Sequence, residues 1–168
     1  MKTLIAYSTL TGNTKKVCEA AAKAFENVEV LEVNEVKNLD YDLIIVGTWI
    51  DKGTADTKAK KFIESLSNQK TAFIFTLGAY PDSKHAQDCI EAITKLFEQN
   101  NNKVLGHYHC QGAIDPKLIQ MMKTKFSPDH PHGPNPERIK RWEDASKHPD
   151  ELDLQNAYNY FKELKIDY

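Results

Sequence analysis

The chain has 168 residues, of which 40% are hydrophobic, and this length fits a domain with a substantial core. Its 22 basic and 24 acidic residues give a net charge of −2, which is too balanced to indicate a nucleic-acid-binding surface. No apolar run approaches the roughly 20 residues that span a bilayer, and the first residues lack the longer apolar region of a secretion signal. The sequence therefore predicts a cytoplasmic protein that binds neither nucleic acid nor membrane.

Strand and helix patterns alternate over the first two-thirds of the chain. Short apolar or β-branched runs predict strands, and apolar residues at helical spacing predict helices. The predicted strands are 2–8, 28–34, 43–47, 71–77 and 103–110, and the predicted helices are 13–25, 59–66 and 86–97. Asp82 or Ser83 is placed to cap the third of these helices, and residues 35–42 hold a turn of helix or a loop. Such alternation implies parallel strands with right-handed crossovers, so we predict an α/β fold, a doubly wound three-layer sandwich with a five-stranded parallel sheet.

The last third of the chain has a different composition. Five of the seven prolines lie between Pro128 and Pro149, so residues 127–136 are excluded from regular helix and central strand. Helical patterns flank this stretch at 116–125 and 136–146, and a final helix is expected over 149–165, with Pro149 near its first turn. We predict one domain over residues 1–168, with an extra Pro-rich and helical segment at about 116–147 that contains an ordered, extended loop.

The motif most informative about chemistry follows the first predicted strand and opens the first predicted helix. It reads Ser8-Thr9-Leu10-Thr11-Gly12-Asn13-Thr14. A helix N-terminus binds anions, hydroxyl groups add donors without bulk, and Gly12 permits unusual backbone geometry. The GxxxxGK[ST] pattern of a triphosphate loop is absent, so a single phosphate monoester suits the motif better. A strand-to-helix turn also favours these residue types for structural reasons alone, but ligands of doubly wound sheets bind at this end of the strands.

The motif resembles the flavodoxin phosphate loop, S/T-x-T-G-N-T, and two further segments match that family in the same order. Gly47-Thr48-Trp49 follows the third predicted strand, where the family places a loop beside the isoalloxazine ring. Leu77-Gly78-Ala79-Tyr80-Pro81 follows the fourth, where the family places its second ring-contacting loop. The resemblance covers about residues 1–110 and the final helix. It implies the flavodoxin-like strand order 2-1-3-4-5 and a non-covalently bound FMN.

The resemblance also implies which residues contact the cofactor. The phosphate would be held by Ser8, Thr9, Leu10, Thr11, Gly12, Asn13 and Thr14. The flavin ring would be lined on one side by Thr48, Trp49, Ile50, Lys52 and Gly53, and on the other by Leu77, Gly78, Ala79, Tyr80 and Pro81. Aromatic side chains suit stacking on a planar ring, while simple packing is the alternative for Trp49 and Tyr80. Lys52 either favours an anionic reduced flavin or points into solvent.

Two features depart from the usual family pattern. Flavodoxins are commonly strongly acidic, whereas this chain is nearly neutral, so the sequence does not predict docking through a broad acidic face. The extra segment at 116–147 resembles, in its runs 127–132, 136–139 and 147–151, a flavodoxin-like subgroup found alongside bilirubin-reducing enzymes.

The histidines and cysteines give weaker signals. His107 and His109 would share one face of a strand, and His130 and His132 lie in the Pro-rich loop. Their spacing is not that of a compact metal site, so we expect no metal, and the loop pair could instead rim a substrate or partner site. The three widely spaced cysteines predict reduced, buried thiols: Cys18, Cys89 and Cys110. No catalytic residue is assigned.

Three functions compete at this point. The favoured one is an electron carrier in which FMN passes electrons from a flavin reductase to an acceptor oxidoreductase, and the subgroup resemblance implies a tetrapyrrole- or bilirubin-reducing enzyme as that acceptor. The second is an FMN-dependent reductase that uses NAD(P)H directly on a small acceptor, with the extra segment as a lid or pocket over the flavin. The third is an interaction module that has lost its flavin, which the fold alone does not exclude but the intact phosphate loop disfavours.

Overall fold

The structure is a computed structural model and describes residues 1–166. Its strands are β1 (Thr3–Tyr7), β2 (Val28–Glu32), β3 (Leu43–Asp51), β4 (Thr54–Ala55), β5 (Lys70–Leu77) and β6 (Lys103–Gln111). Its α-helices are α1 (Asn13–Ala22), α2 (Thr57–Ser65), α3 (Lys84–Glu98), α4 (Pro116–Lys125), α5 (Pro136–Ala145) and α6 (Glu151–Glu163). A short 3-10 helix, Val33–Glu35, follows β2. Every predicted strand and helix is present.

The sheet has the strand order β2-β1-β3-β5-β6, and all four pairings in it are parallel. The two-residue β4 pairs only with the end of β3, and it runs antiparallel to that strand. With β4 set aside, this order is the predicted 2-1-3-4-5. The predicted fold class, a doubly wound α/β sandwich, is therefore confirmed.

Two apolar cores lie on opposite faces of the sheet, because successive strand residues point to opposite sides. On one face Leu4 and Ile44 pack with α2 and α3, and on the other Ile5 and Ile45 pack with α1 and α6. All four of these side chains are completely buried. Burial on both faces explains why the third strand is a continuous β-branched run, since neither of its faces meets water.

The third strand is longer than predicted. We expected it at 43–47, but β3 continues to Asp51 and turns back into β4 through Lys52 and Gly53. Both turn residues have positive φ, 51° and 81°, as a two-residue type I′ hairpin requires. Gly47 does not end the strand. It lies inside β3, where an added Cβ would collide with the Cys18 sulfur atom of α1.

The structure decides or corrects three predicted boundaries. Ser83, and not Asp82, caps α3, because its hydroxyl accepts the Ala86 N–H at 3.1 Å. The final helix begins at Glu151 and not at Pro149, since Asp150 caps α6 by accepting the Asp153 N–H, and Pro149 lies directly before this N-cap. The only helical turn between the second and third predicted strands is the 3-10 helix at 33–35, and residues 36–42 form an irregular connection.

The Pro-rich segment folds into α4, a loop over residues 126–135, and α5. The Arg138 guanidinium group donates hydrogen bonds to the carbonyls of His130 and Gly133, both at 3.0 Å. The imidazole of His130 stacks on the Phe126 ring with 4.2 Å between ring centroids. Gly133 lies so close to the Ser127 carbonyl that a Cβ would overlap it. These contacts hold the loop in one shape. The loop is not extended as we expected, because it folds into two turns, which are closed by hydrogen bonds from the His130 N–H to the Ser127 carbonyl and from the Gly133 N–H to the His130 carbonyl. In the described part of the chain, no helix is long and apolar enough to cross a membrane.

Candidate cofactor-binding site

A cavity of about 560 Å³ opens at the carboxyl ends of β1, β3 and β5. Its volume lies within the roughly 300–1,000 Å³ range of small-molecule sites. Ligands of doubly wound sheets bind at this edge, where the crossovers leave in opposite directions from neighbouring strands. The cavity wall includes parts of all three loops that the sequence analysis selected, together with parts of the extra segment.

The first loop leads from β1 into α1. Its residues Thr9, Leu10, Thr11, Asn13 and Thr14 line the cavity. Gly12 precedes the helix with a φ of 94°, a conformation that favours glycine. No side chain caps the helix, its first turn has no acidic residue, and the first helical bond runs from the Lys16 N–H to the Gly12 carbonyl. The N–H groups of residues 13–15 therefore have no partner within the helix, which is the arrangement that attracts an anion.

Hydrogen bonds hold this loop in shape. The Gly12 N–H donates to the Thr9 hydroxyl oxygen at 3.0 Å, which closes the turn before the helix. The Thr14 hydroxyl is 2.9 Å from that of Thr76 at the end of β5, and the Asn13 amide nitrogen donates to the Ala113 carbonyl at 3.1 Å. The loop is thus tied to β5 and to the segment that follows β6 before any ligand binds.

Two of the hydroxyl groups that were expected to contact the cofactor instead bind a buried carboxylate. Ser8 and Thr48 lie outside the cavity lining and donate hydrogen bonds to the Asp56 carboxylate, at 2.8 and 2.7 Å. Asp56 is 2% exposed and also accepts the N–H groups of Lys58 and Ala59, so it caps α2. This carboxylate joins the ends of β1 and β3 to the start of α2. Asp56 was not among the residues selected from the sequence, although an Asp directly before a helical pattern is a typical N-cap signal.

The β3–β4 hairpin supplies the second loop. Trp49 and Ile50 line the cavity, whereas Lys52 and Gly53 form the hairpin turn outside the lining. The Lys52 side chain is exposed, which agrees with the solvent-pointing alternative.

The third loop follows β5. Its residues Leu77, Gly78, Ala79 and Tyr80 line the cavity, and Pro81 lies outside the lining. Two side chains of strand β6 bind the loop. The Gln111 side-chain amide donates to the Gly78 carbonyl at 3.1 Å, and His109 Nε2 lies 2.8 Å from the Pro81 carbonyl. A carbonyl only accepts, so we assign the proton of His109 to Nε2.

The extra segment at 116–147 completes the cavity wall. His132, which the sequence suggested as a residue at the rim of a site, lines the cavity. Four further lining residues of the segment were not identified from the sequence: Leu118, Met122, Arg141 and Trp142. The Tyr80 hydroxyl links the third loop to this segment by donating to the Asp144 carboxylate at 2.8 Å. That bond raises the pKa of Tyr80 and lowers the pKa of Asp144.

Among the other lining residues, Thr76 lies near the end of β5, and Gly112, Ala113, Ile114 and Asp115 follow the end of β6. Residues 112–115 could have been predicted from the sequence, because ligands bind beyond the carboxyl ends of parallel strands and these residues directly follow the last predicted strand.

The histidines and cysteines lie mostly away from the cavity. His107 and His109 share a face of β6, as predicted, and stack on Phe73 and Phe75 of β5. Burial lowers the pKa of His107, and the nearby His109 adds to that effect. All three cysteines are free and buried, which confirms the prediction.

One group within residues 1–166 brings together three side chains of the types that bind metals: His148, Asp150 and Asp153. It contains none of the four histidines considered above. Hydrogen bonds at the start of α6 account for the arrangement, since the Asp150 N–H and His148 Nδ1 both lie within 2.8 Å of the Asp153 carboxylate.

Comparisons with known proteins agree with this architecture. The model of the flavodoxin domain family matches residues 4–162. The flavodoxin-like domain-containing protein BilS of Clostridioides difficile (strain CD3) is 33% identical over 174 residues, covering 99% of this chain and 97% of that protein. BilS of Clostridium symbiosum (strain WAL-14163) is 23% identical, covering 96% and 94%.

Solved structures show the same fold. Oxidised flavodoxin 2 from Bacillus cereus superposes with a TM-score of 0.59 at 16% identity, covering 96% of this chain and 95% of that one. A flavoprotein from Lactobacillus acidophilus NCFM, solved in complex with FMN, superposes with a TM-score of 0.54 at 19% identity, covering 65% and 93%. The family match extends over nearly the whole chain, and the chain belongs to the flavodoxin domain family.

Proposed function

We propose that the cavity binds FMN non-covalently and that the protein is a cytoplasmic, single-domain electron carrier of the flavodoxin type. The observation that carries the proposal is the uncapped N-terminus of α1, which opens with its hydroxyl-bearing loop into a cavity flanked by Trp49 and Tyr80. When bound, FMN supplies the redox chemistry, and the protein positions it and adjusts its surroundings.

The phosphate end fits the first loop. Three helix N–H groups, the Thr11 hydroxyl and the partial positive charge of the helix all favour a phosphate. Asp115 is the one acidic residue in the described cavity lining, and its carboxylate accepts the Lys117 N–H at the start of α4. The proposal therefore places the phosphate beside Thr9–Thr14, with Asn13 and Thr14 holding the loop in position.

The flavin end fits the second and third loops. Trp49 and Tyr80 offer aromatic surface for a planar ring, and Ala79 adds no bulk beside them. Gly78 packs tightly against Ile114, since an added Cβ would lie 2.7 Å from that side chain. Because Gln111 and His109 hold the carbonyls of the third loop from behind, these loop residues are fixed before a ring enters.

The partners that we propose are a flavin reductase as donor and an oxidoreductase as acceptor. The resemblance of the extra segment to the subgroup found alongside bilirubin-reducing enzymes supports a tetrapyrrole-reducing enzyme as the acceptor. An FMN-dependent NAD(P)H reductase is the second candidate, and the observation that favours it is the contribution of 116–147 to the cavity wall.

The first experiment is a titration of the apo-protein into FMN, followed by quenching of flavin fluorescence, with riboflavin as the ligand that lacks the phosphate. We expect tight FMN binding and much weaker riboflavin binding. Thr11→Asp adds a negative charge to the first loop and should weaken FMN at least about tenfold while changing riboflavin little. Thr57→Asp is the matched control, because Thr57 is an exposed residue at the start of α2. Equal affinities for FMN and riboflavin would contradict the phosphate assignment.

The second experiment separates the carrier from the reductase. FMN-loaded protein is mixed with NADPH or NADH, with and without a flavin reductase, and absorbance at the nicotinamide band is followed. A carrier is reduced only when the reductase is present. Steady oxidation of NADPH by the protein alone, in the presence of a quinone, would instead establish the direct reductase.

A further inference from the structure

The cavity has two chemically different parts. Its first part is formed by the three loops that suit FMN, and its second part comes from α4, α5 and the loop between them. We propose that Arg141, with the apolar wall beside it, forms a second ligand subsite for a planar, apolar molecule that carries a carboxylate. The proposal rests on the FMN assignment only in giving the first part of the cavity to the cofactor.

The apolar wall is unusual for a solvent-facing helix. Leu118 and Met122 lie one helical turn apart on α4 and both line the cavity, and Leu118 is 43% exposed. Trp142 of α5, which is 4% exposed, adds aromatic surface. Binding of an apolar ligand to such a row of apolar side chains lowers the free energy, because it removes their surface from water.

Arg141 supplies the positive charge. It lines the cavity, it is half-buried, and within residues 1–166 it forms neither an ion pair nor a hydrogen bond. The neighbouring carboxylate, Asp144, is already bonded to Tyr80 and Lys140. The other arginine of α5, Arg138, is bonded to two loop carbonyls. Arg141 is thus a cation in a concave wall, available for the paired hydrogen bonds that guanidinium groups form with carboxylates.

The position of Arg141 on α5 relates this subsite to the third loop. Asp144 lies three residues further along α5, so the two residues share a helix face, and Asp144 receives the Tyr80 hydroxyl. That face therefore adjoins the loop proposed for the flavin ring. A carboxylate bound to Arg141 would place the planar body of the second ligand between Trp142 and the ring loop, and the His132 imidazole in the lining offers a further polar contact.

The test uses 2-naphthoate as the probe and 2-naphthamide as its uncharged counterpart, titrated by calorimetry into FMN-loaded protein. We expect a Kd for 2-naphthoate on the order of 1 mM or below, and weaker binding of the amide. Arg141→Gln should weaken 2-naphthoate by about tenfold or more and leave 2-naphthamide unchanged. Lys123→Gln makes the same charge change at an exposed residue of α4 outside the cavity lining and should change neither Kd.

The affinity for FMN, measured separately on each variant, distinguishes failure of this proposal from failure of the proposed function. No binding of 2-naphthoate to protein that binds FMN would overturn the subsite and leave the cofactor assignment intact. Arg141→Gln weakening FMN while leaving 2-naphthoate unchanged would overturn it too, because Arg141 would then serve the cofactor. Equal losses in Arg141→Gln and Lys123→Gln would show a general charge effect and would also overturn it. If FMN itself does not bind, the proposed function fails, and the same comparison on apo-protein still decides the subsite.

Discussion

Replacing the Asp56 carboxylate tests how the loop ends around the cavity are held together. Asp56→Ala removes the N-cap of α2, which costs about 1 kcal/mol. It also leaves the buried Ser8 hydroxyl without its acceptor, at about 1–2 kcal/mol, whereas the Thr48 hydroxyl keeps the Trp49 carbonyl at 3.0 Å and should cost only about 0.5–1 kcal/mol. Together the free energy of unfolding should fall by about 2.5–4 kcal/mol, which is a large fraction of the roughly 5–15 kcal/mol that stabilises a typical domain. Asp56→Asn keeps the oxygen that faces Ser8 and the helix N–H groups, so its cost should be only about 1–2 kcal/mol.

Urea unfolding followed by far-ultraviolet circular dichroism measures these losses. An unchanged dependence of the unfolding free energy on urea concentration would show that the substitution changes stability alone. A double-mutant cycle isolates the Ser8–Asp56 hydrogen bond, because Ser8→Ala should cost about 1 kcal/mol less in the Asp56→Ala background than in the wild type. Asp129→Ala, at an exposed aspartate of the Pro-rich loop, is the control and should change stability by less than about 0.5 kcal/mol. A loss below about 1 kcal/mol for Asp56→Ala, or the same cost of Ser8→Ala in both backgrounds, would refute the account.

Three further changes probe other parts of the molecule. Gly47→Ala should lower the free energy of unfolding by about 1–3 kcal/mol in the same assay, because its Cβ would overlap the Cys18 sulfur atom, and a loss under about 0.5 kcal/mol would contradict that packing. Tyr80→Phe removes the hydrogen bond that lowers the pKa of Asp144. The wild type should therefore be more stable than the variant above pH 3.8, the ordinary pKa of an aspartate, and this difference in the free energy of unfolding should shrink as the pH falls below that value. A difference that stays the same in acid would contradict the hydrogen bond. The three buried cysteines, each with a pKa raised mainly by burial, should resist a thiol reagent in the native protein and react fully in urea, whereas fast native labelling would show that they are accessible.

Local patterns were sufficient for most of the framework and for part of the site. The strands, the helices and their parallel arrangement follow from the alternation of apolar runs and from crossover handedness, which need no distant contact to be recognised. The strand order was expected only from the resemblance to the flavodoxin family. The first loop was identifiable because Gly12 and its hydroxyl neighbours lie between a strand and a helix. The hairpin formed by β3 and β4 was missed, because Lys52-Gly53 is not one of the dipeptides, such as Asn-Gly or Asp-Gly, that mark a two-residue turn in a sequence.

The roles of individual side chains were harder to predict, because they depend on partners far away in the chain. Ser8 and Thr48 match a cofactor motif equally well whether their hydroxyls face a ligand or Asp56, and only the folded arrangement shows that they face Asp56. The predicted contacts of FMN with the seventeen selected residues stay predictions, but the structure shows which of those residues line the cavity.

The sequence by itself determined the fold class, the end of the sheet at which a ligand binds, and the loop that suits a phosphate. These properties depend on periodicity and on residues that are neighbours in the chain. Only the tertiary structure decided that Arg141 and Trp142 belong to the same cavity as Thr9 and Thr11, some 130 positions earlier. A helix at the end of an irregular loop has no local signal for where it packs, because its position is decided by contacts such as Tyr80 with Asp144 that form only when the whole chain has folded.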